Sequence, residues 1–398
     1  MIQSNFMEKL LDGVEVEWKP LGKVLVRTKG TKITAGQMKE IHKDNAPLKI
    51  FAGGKTIAFV NFEDIPEKDV NREPSIIVKS RGVIEFEYYD KPFSHKNEMW
   101  SYHSKNENIN IKFVYYFLKI NEEYFQNIGS RMQMPQISTP DTDKFLIPIP
   151  PLKVQEEIVR ILDTFTELTA ELTAELTARK KQYTYYHDKL LSFKEGEVEW
   201  KELGEVGELV RGNGLPKTDF TEIGVPAIHY GQIYTYYGTF TTETKSFVSY
   251  ETAKKLKKVD TGDVVITNTS ENLKDVGKAV VYLGKVQAVT GGHATIFKPS
   301  NQILGKYFAY FTQTGMFASQ KRKYAKGTKV IDVSATDMAK IIIPIPPLEE
   351  QERIVYILDK FDALTSSITE GLPREIELRQ KQYEYYRNML LSFPKQEV

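Results

Sequence analysis

The stretch Ile147-Pro-Ile-Pro-Pro-Leu152 decides how this chain folds, because it returns as Ile343-Pro-Ile-Pro-Pro-Leu348, 196 residues later. Apolar residues recur every three or four positions after each copy. Both copies then end in near-identical text, Gln182-Tyr-Thr-Tyr-Tyr186 and Gln382-Tyr-Glu-Tyr-Tyr386. A repeat of about 200 residues is much longer than the repeats of solenoid proteins, so the sequence predicts two similar lobes and not an array.

The repeating unit is also circular. Glu15-Val-Glu-Trp18 returns as Glu197-Val-Glu-Trp200, and Leu190-Leu-Ser-Phe193 returns as Leu390-Leu-Ser-Phe393. The sequence therefore begins and ends near the same point of the repeat. Closed symmetry usually comes from identical chains, and here one chain is predicted to imitate it with a pseudo-twofold arrangement.

The apolar stripes that follow the two proline-rich copies have the spacing of α-helices. Each extends over roughly 35 residues, which predicts a helix of about 50 Å. An amphipathic helix needs a partner in water, so the two are predicted to pair as an antiparallel coiled coil. Gly371-Leu-Pro373 predicts a kink or short break in the second helix. The predicted spacer residues are Phe165, Leu168, Leu172, Leu176, Tyr183, Tyr186, Phe361, Leu364, Ile368, Tyr383 and Tyr386.

The first helix contains a tandem repeat, Thr169-Ala-Glu-Leu172 and Thr173-Ala-Glu-Leu176. Two interpretations stay open. The repeat is either a helix-forming filler with leucine inside and glutamate outside, or a ruler that sets a distance. Four helical residues add about 6 Å and turn the helix end by about 40°. One base pair of B-DNA turns by about 35°, so a unit of four residues nearly keeps phase with DNA.

The segments 12–146 and 195–342 scarcely resemble each other, and both have the strand and loop patterns of mixed α and β structure. The predicted strands are Ser75–Val78, Val83–Phe86, Val264–Thr267, Ala279–Tyr282 and Ala294–Phe297. The predicted short aromatic helices are Lys112–Leu118 and Lys306–Phe311. The fold class is therefore α+β, with two globular heads separated by two long helices. The predicted domains are heads at 1–146 and 195–342 and spacers at 147–194 and 343–398.

Composition excludes several classes of function. The 398 residues contain no cysteine, which excludes a disulfide framework, a Cys-ligated zinc site and a thiol nucleophile. No metal site is predicted from the six histidines. No apolar run approaches about 20 residues, so no membrane partner is predicted and the expected location is the cytoplasm. The net charge of +1 argues against a protein that coats nucleic acid through bulk charge.

DNA recognition requires planar amide or guanidinium groups among basic and aromatic residues. The candidates in the first head are Lys79, Arg81, Arg131 and Gln133. The candidates in the second head are Arg211, Asn213, Lys217, His229, Gln232, Tyr234, Asn268, Lys274 and Lys326. Any single one of them could equally be an ordinary surface or turn residue.

Signatures of catalysis are missing. Gly53-Gly-Lys-Thr56 resembles the end of a phosphate-binding loop, but Lys49 stands where the first glycine is required. Amino-group methyltransferases carry Asn/Asp-Pro-Pro-Tyr/Phe, whereas both copies here read Ile-Pro-Pro-Leu. Gly-x-Ser-x-Gly and His-Glu-x-x-His do not occur. The chain is therefore predicted not to be an enzyme.

The circular repeat, the proline-rich copies, the Thr-Ala-Glu-Leu units and the Gln-Tyr-x-Tyr-Tyr endings resemble the specificity subunit of type I restriction-modification enzymes. More narrowly, they resemble the branch that varies its number of Thr-Ala-Glu-Leu repeats. The resemblance implies two target recognition domains, each reading half of a bipartite duplex DNA target. It also implies that the spacers dock two modification subunits, which methylate adenine with S-adenosylmethionine. Restriction subunits using ATP and Mg would join them, so this chain itself needs no cofactor.

Two other classes remain as alternatives. A coiled-coil adaptor with two protein-binding heads would explain the helices but not a repeat in phase with DNA. A self-sufficient methyltransferase or nuclease is disfavoured by the missing motifs. Salt-dependent binding to duplex DNA separates the first alternative from the specificity subunit.

Overall fold

The computed structural model describes residues 10–11, 13–130, 134–367 and 369–393. The candidates Arg131, Gln133 and Ile368 lie outside the described residues. The chain divides into two compact units, Met1–Glu171 with Glu377–Val398 as unit 1 and Leu172–Ile376 as unit 2. The predicted domains separate heads from spacers, whereas each compact unit combines one head with parts of the long helices. Both units are mixed α and β, as predicted.

Unit 1 contains a four-stranded antiparallel sheet of order β2-β8-β5-β6 and a three-stranded sheet of order β4-β3-β7. Its strands are β1 Glu17–Pro20, β2 Val26–Lys29, β3 Leu48–Phe51, β4 Ile57–Val60, β5 Ser75–Lys79, β6 Glu85–Tyr89, β7 Phe93–His95, β8 Trp100–His103 and β9 Leu146–Ile149. Its head helices are α1 Leu21–Val24, α2 Ala35–Glu40, α3 Ile111–Ile120, α4 Glu122–Gly129 and α5 Thr139–Asp143. The first long helix is α6 Leu152–Leu190, which has residues in both units.

Unit 2 contains two five-stranded sheets, of order β11-β21-β17-β19-β14 and β12-β15-β13-β20-β16. Its strands are β10 Glu199–Glu202, β11 Gly207–Arg211, β12 Phe220–Thr221, β13 Val225–Ile228, β14 Phe240–Thr241, β15 Ser246–Val248, β16 Lys257–Val259, β17 Val264–Thr267, β18 Thr269–Ser270, β19 Ala279–Tyr282, β20 Ala288–Thr290, β21 Ala294–Pro299, β22 Ile331–Asp332 and β23 Ile342–Ile345. Its helices are α7 Tyr230–Thr235, α8 Tyr250–Lys255, α9 Gly305–Phe311, α10 Gly315–Tyr324, α11 Ala335–Met338 and α12 Leu348–Thr365, followed by α13 Gly371–Leu390.

The predicted strands are present, and one of them is displaced. The fully buried residues Ile76 to Val78 lie in β5, and the predicted strands of the second head correspond to β17, β19 and β21. The strand predicted at Val83–Phe86 begins instead at Glu85. The reason is a turn, since Gly82 has a φ of +75° and Val83 is 64% exposed. Both predicted aromatic helices are present as α3 and α9.

The circular repeat folds into the same small sheet in each unit. In unit 1, β1 pairs antiparallel with β9, and Trp18 lies opposite Pro148. In unit 2, β10 pairs antiparallel with β23, and Trp200 lies opposite Pro344 in the same register. Proline is tolerated in such two-stranded sheets because its missing N–H need not point at a partner strand. Each head is therefore closed by the proline-rich copy that leads into its long helix.

The second long helix is interrupted, as Gly371-Leu-Pro373 predicts. Helix α12 ends at Thr365 and α13 begins at Gly371, whose φ is +74°. A Cβ at this glycine would lie 2.3 Å from the carbonyl oxygen of Ala363, so only glycine fits this backbone conformation. The first long helix has no such break and runs for 39 residues, about 58 Å.

Predicted spacer residues pack together inside each unit. In unit 1 the ring of Phe165 stacks on Tyr386 with centroids 5.3 Å apart. In unit 2 the ring of Tyr186 stacks on Phe361 at 5.7 Å, and Tyr183 lies 6.1 Å from the same phenylalanine. Each unit thus contains a pair of helices joined by predicted stripe residues. Their pairing over the full length as an antiparallel coiled coil stays a prediction.

The head of unit 1 is attached to α6 by a joint in which one side chain hydrogen-bonds backbone atoms. The fully buried side chain of Gln155 accepts a hydrogen bond from the N–H of Asn110 at 2.9 Å. The same amide donates to the carbonyl oxygens of Asn108 at 3.1 Å and Pro150 at 2.8 Å. One side chain therefore ties the entrance of α3 and the end of the proline-rich copy to the helix.

The joint in unit 2 has the same design. The buried Gln351 accepts from the N–H of Leu304 at 2.8 Å and donates to the carbonyl oxygens of Gln302 and Pro346, both at 2.9 Å. The two glutamines contact residues of different types in the two heads. This is possible because both glutamines bind only backbone atoms. The glutamine contacts therefore do not depend on the side chains of the head.

An ion pair and a tyrosine reinforce each joint. In unit 1 the carboxylate of Asp163 accepts from Lys112 at 2.7 Å and from the hydroxyl of Tyr116 at 2.5 Å. The equivalent group in unit 2 is Asp359, with Lys306 at 2.7 Å and Tyr310 at 2.8 Å. Burial, followed by the hydrogen bond to aspartate, raises the pKa of both tyrosines. Their hydroxyl protons therefore stay in place at any physiological pH.

Among the described helices, none is long and apolar enough to cross a membrane.

Candidate nucleic-acid interface

Five segments of unit 2, loops and the ends of a strand and a helix, meet at one place, which we call the loop cluster and define by Arg211, Tyr230, Asn268, His293 and Val333. The guanidinium of Arg211 donates to the carbonyl oxygen of Gly292 at 3.2 Å. The N–H of Asn268 donates to the carbonyl of His293 at 2.9 Å, and Asn268 accepts from the N–H of Val333 at 3.0 Å. These bonds join segments that are far apart in sequence, so the loops are held as one surface.

Aromatic rings extend across the loop cluster. His293 is exposed, and its ring lies 4.9 Å from that of Tyr230 and hydrogen-bonds Thr269 at 2.8 Å. Tyr230 in turn packs against His229 at 4.4 Å and lies 6.4 Å from Tyr234. Burial, and then the nearby charges of Lys217 and His293, lower the pKa of His229. His229 is therefore neutral at pH 7, and this row of rings offers flat aromatic faces.

The side chain of Asn268 is the least satisfied polar group of the cluster. It is fully buried, and neither its oxygen nor its nitrogen has a hydrogen-bond partner among the described residues. An unpaired buried amide costs about 1–3 kcal/mol. Asn268 therefore stands to gain from a new hydrogen bond if the loops open, although no base could reach it while it stays buried.

Three cationic candidates border the loop cluster. Arg211 is exposed and lies 3.5 Å from Asp332, and Lys217 is exposed close to His229. Lys326 pairs with Asp337 at 3.0 Å and its backbone bridges Asp332. All three lie on the surface, where weak ion pairs exchange readily for phosphate or base contacts.

Two amide candidates are already engaged inside the protein. The amide of Asn213 donates to the carbonyl of Lys255 at 2.5 Å, and that of Gln232 donates to Ser246 at 2.6 Å. These bonds fix the loops and leave less of each amide for DNA. The remaining candidate of this head, Lys274, lies on the rim of a separate cavity.

The candidates of the first head are less well grouped. Lys79 is 8% exposed and its ammonium pairs with Glu85 at 2.5 Å and Glu87 at 2.8 Å. Burial opposes its charge, but hydrogen bonds to the two glutamates outweigh burial and raise the pKa of Lys79. Its charge is thus neutralised within the sheet, which does not fit the predicted DNA contact. Arg81 is exposed and its backbone bridges Gln136.

The leucines of the Thr-Ala-Glu-Leu units lie where the sequence predicts. Leu168, Leu172 and Leu176 are partly buried, whereas Glu171 and Glu175 are exposed. Leu364 and Tyr383 are also partly buried. This arrangement agrees with both interpretations of the repeat, because a filler and a ruler need the same helix.

Sequence reasoning missed two exposed tyrosines of the spacers that occupy matching positions. Tyr185 in unit 2 is 59% exposed and contacts Tyr186 with centroids 5.3 Å apart. Tyr385 in unit 1 is 49% exposed and contacts Tyr386 at 5.4 Å in the same edge-to-face manner. The sequence could have indicated them, because each stands two residues after a tyrosine of the apolar stripe, Tyr183 or Tyr383. On a helix this spacing turns a side chain away from the face that the stripe occupies. Each unit therefore presents the same tyrosine pair.

Comparison with known proteins identifies the family. The type I restriction modification DNA specificity domain matches this chain over residues 26–179 and again over 195–378. The chain belongs to this family. A type I restriction enzyme specificity subunit from Escherichia coli is 39% identical over 100% of this chain and 99% of its own length. The EcoprrI specificity subunit, also from Escherichia coli, is 30% identical over 93% of each chain.

A solved structure supports the fold. The specificity subunit of a type I restriction-modification system from M. genitalium superposes with a TM-score of 0.62 at 17% identity, covering 96% of this chain and 98% of that one. The family model and the Escherichia coli relatives confirm the predictions of a type I specificity subunit and of a DNA-recognition chain without catalytic activity. The assignment to the branch with variable Thr-Ala-Glu-Leu repeats stays a prediction.

Proposed function

We propose that this chain selects the DNA target of a type I restriction-modification complex, with each head reading one half of a bipartite sequence. The observation that carries this proposal is the repeated joint. Gln155 and Gln351 hold two unlike heads through backbone atoms alone, in a chain of the DNA specificity family. A protein that recognises two different half-sites needs two different heads, each held by the same kind of joint.

In the second head, the loop cluster is the base-reading surface. Exposed Arg211 supplies a guanidinium of the kind that binds the acceptors of guanine in the major groove. The faces of Tyr230 and His293 supply apolar and stacking contacts, and Lys217 supplies a phosphate contact at the edge. In the first head the corresponding guanidinium is that of Arg81, beside Gln136.

The exposed tyrosine pairs are the docking points for two copies of one modification subunit. Tyrosine is enriched in the centres of protein interfaces because its ring buries a large area at low entropic cost. Tyr185 with Tyr186 and Tyr385 with Tyr386 are alike in spacing and exposure. Two identical partner subunits need two identical surfaces, whereas the heads offer none.

The cofactors belong to the partner subunits in this proposal. The modification subunits carry S-adenosylmethionine and methylate one adenine in each half-site, and restriction subunits use ATP and Mg. The location of the complex in the cytoplasm stays a prediction.

A base-resolution methylome tests the reading function. Cells that express this chain with its modification subunit are compared with cells that lack only this chain. We expect a bipartite motif with one methyladenine on each strand and a fixed gap. Exchange of residues 12–146 for the first head of another family member should change one half-site and leave the other intact.

Two outcomes would contradict the proposal. Unchanged methylation with an assembled complex would remove the DNA-reading role. A head exchange that alters both half-sites would show that the heads do not read independently. As a matched test of docking, Tyr185→Ala with Tyr385→Ala should weaken assembly, whereas Tyr250→Ala, an exposed tyrosine of the second head at 73%, should not.

A further inference from the structure

A cavity of about 480 Å³ lies in unit 2, outside the loop cluster. The segment 273–278, the end of α9 and the helix α10 enclose it. Four cationic side chains line it, Lys274, Lys278, Lys321 and Arg322, and none of its described lining residues is acidic. Asp275 pairs with Lys278 at 2.9 Å and is the acidic group whose charge also acts on Lys274 and Lys321, so the four cations outnumber it.

The wall of this cavity is rigid because a buried lysine braces it. Lys321 is 6% exposed, and its ammonium donates to the carbonyl of Lys274 at 3.3 Å and to the carbonyl of Val276. Burial lowers the pKa of Lys321 to about 8. The segment that carries Lys274 is therefore fixed against α10.

The same segment connects the cavity to the loop cluster. It starts at Thr269, which hydrogen-bonds His293 at 2.8 Å, and returns at Gly277, whose N–H donates to the carbonyl of Thr267 at 2.8 Å. Only a few residues separate Thr269 from Lys274. A polymer whose bases face the loop cluster would thus place part of its backbone near the cavity.

The chemistry of the wall selects the class of ligand. Unpaired like charges in a concave site repel each other and lose solvation, so an anion would stabilise them. The volume is within the range of about 300–1,000 Å³ of small-molecule sites and suits a nucleotide-sized group better than a lone ion. None of the described lining residues is aromatic, so the cavity offers no platform on which a base could stack.

We infer that this cavity binds a sugar-phosphate unit of the target DNA, gripped by Lys274 and Arg322, next to the half-site that the second head reads. This inference rests on the proposed function. Both side chains are exposed, and neither forms an ion pair within the described part of the chain. The contact is specific to the second head, since the helix after the aromatic helix of the first head is α4, which begins with Glu122 and Glu123.

The test is the salt dependence of DNA binding by the assembled complex. Lys274→Ala combined with Arg322→Ala is compared with the unchanged chain on cognate and scrambled duplexes. Each lost phosphate contact lowers the slope of log K against log salt by about 0.9, so the double variant should lose about 2. The loss of affinity should be equal for both duplexes. Lys285→Ala is the control. This exposed lysine lies before β20, whereas Gly291 and the loop cluster lie at the other end of that strand.

Failure of the inference is distinguishable from failure of the proposed function. If the unchanged complex binds cognate duplex specifically and the double variant keeps its slope, the cavity does not grip DNA. If inorganic phosphate or a mononucleotide binds the complex and only that binding is lost in the variant, the site serves a free anion and the inference is overturned. If the unchanged complex binds no duplex, the proposed function fails. Lys274→Gln with Arg322→Gln should repeat the expected loss with smaller changes in packing.

Discussion

Replacing Gln351 by leucine should loosen the joint of the second head. The hydrogen-exchange protection of one backbone amide, the N–H of Leu304, should measure this loosening. The N–H of Leu304 donates to the side chain of Gln351, and the same side chain holds two carbonyl oxygens. Each hydrogen bond contributes about 1 kcal/mol net, so the variant should lose about 3 kcal/mol. A factor of ten corresponds to 1.4 kcal/mol, which makes the expected loss of hydrogen-exchange protection at Leu304 about 100-fold.

The matched variant is Gln155→Leu in unit 1, read at the N–H of Asn110. Because both glutamines contact only backbone atoms, the two losses should agree within about tenfold although the heads differ in sequence. Gln380→Leu, on an exposed face of α13, is the control and should leave both amides protected. Hydrogen exchange is the suitable assay, since a chain of two units need not unfold in one step. Unchanged protection at Leu304, or a large loss in one unit alone, would refute the argument.

Three further predictions concern the spacer and the first head. Deleting Thr173–Leu176 should change the gap between half-sites in the methylome while both half-site sequences stay intact; an unchanged gap would favour the filler interpretation. Leu172→Pro should abolish assembly with the modification subunits, because proline inside a helix costs about 3 kcal/mol or more; co-elution of an intact complex would contradict this. Burial lowers the pKa of His95 below its ordinary 6.5, so the unfolded chain binds the proton first and unit 1 should lose stability as the pH falls below about 6.5. The urea midpoint of His95→Gln should fall less between pH 7 and pH 5 than that of the unchanged chain.

Repetition made the helical framework predictable. Identical text at two places predicted identical structure, and Trp18 and Trp200 do pair with the two proline-rich copies in the same register. Helix periodicity predicted α6, and Gly371 with Pro373 predicted the interruption of its counterpart. These signals are local, since they depend on spacing and on backbone restrictions within a few residues.

The candidate site was less predictable because its contacts are not local. Lys79 is a residue type that often contacts DNA, but the sequence could not reveal that Glu85 and Glu87 would pair with it across the sheet. Gln155 and Gln351 are visible as identical letters, yet their partners are backbone atoms that leave no trace in the sequence. Arg322 stands in the basic run Lys321-Arg322-Lys323, and nothing in that run indicates that it lines a cavity.

The joints explain how such a chain can change its target without losing its geometry. A head that met its helix through side chains would have to keep them whenever its recognition loops changed. Gln351 instead binds the N–H of one residue and two carbonyl oxygens, and the first head offers the same backbone groups to Gln155. The lysine and tyrosine that reach Asp359 are the remaining side-chain requirement, and both lie on α9, away from the loop cluster. The residues that we propose to read DNA are thus free to vary, while the residues that join the head to its helix are not.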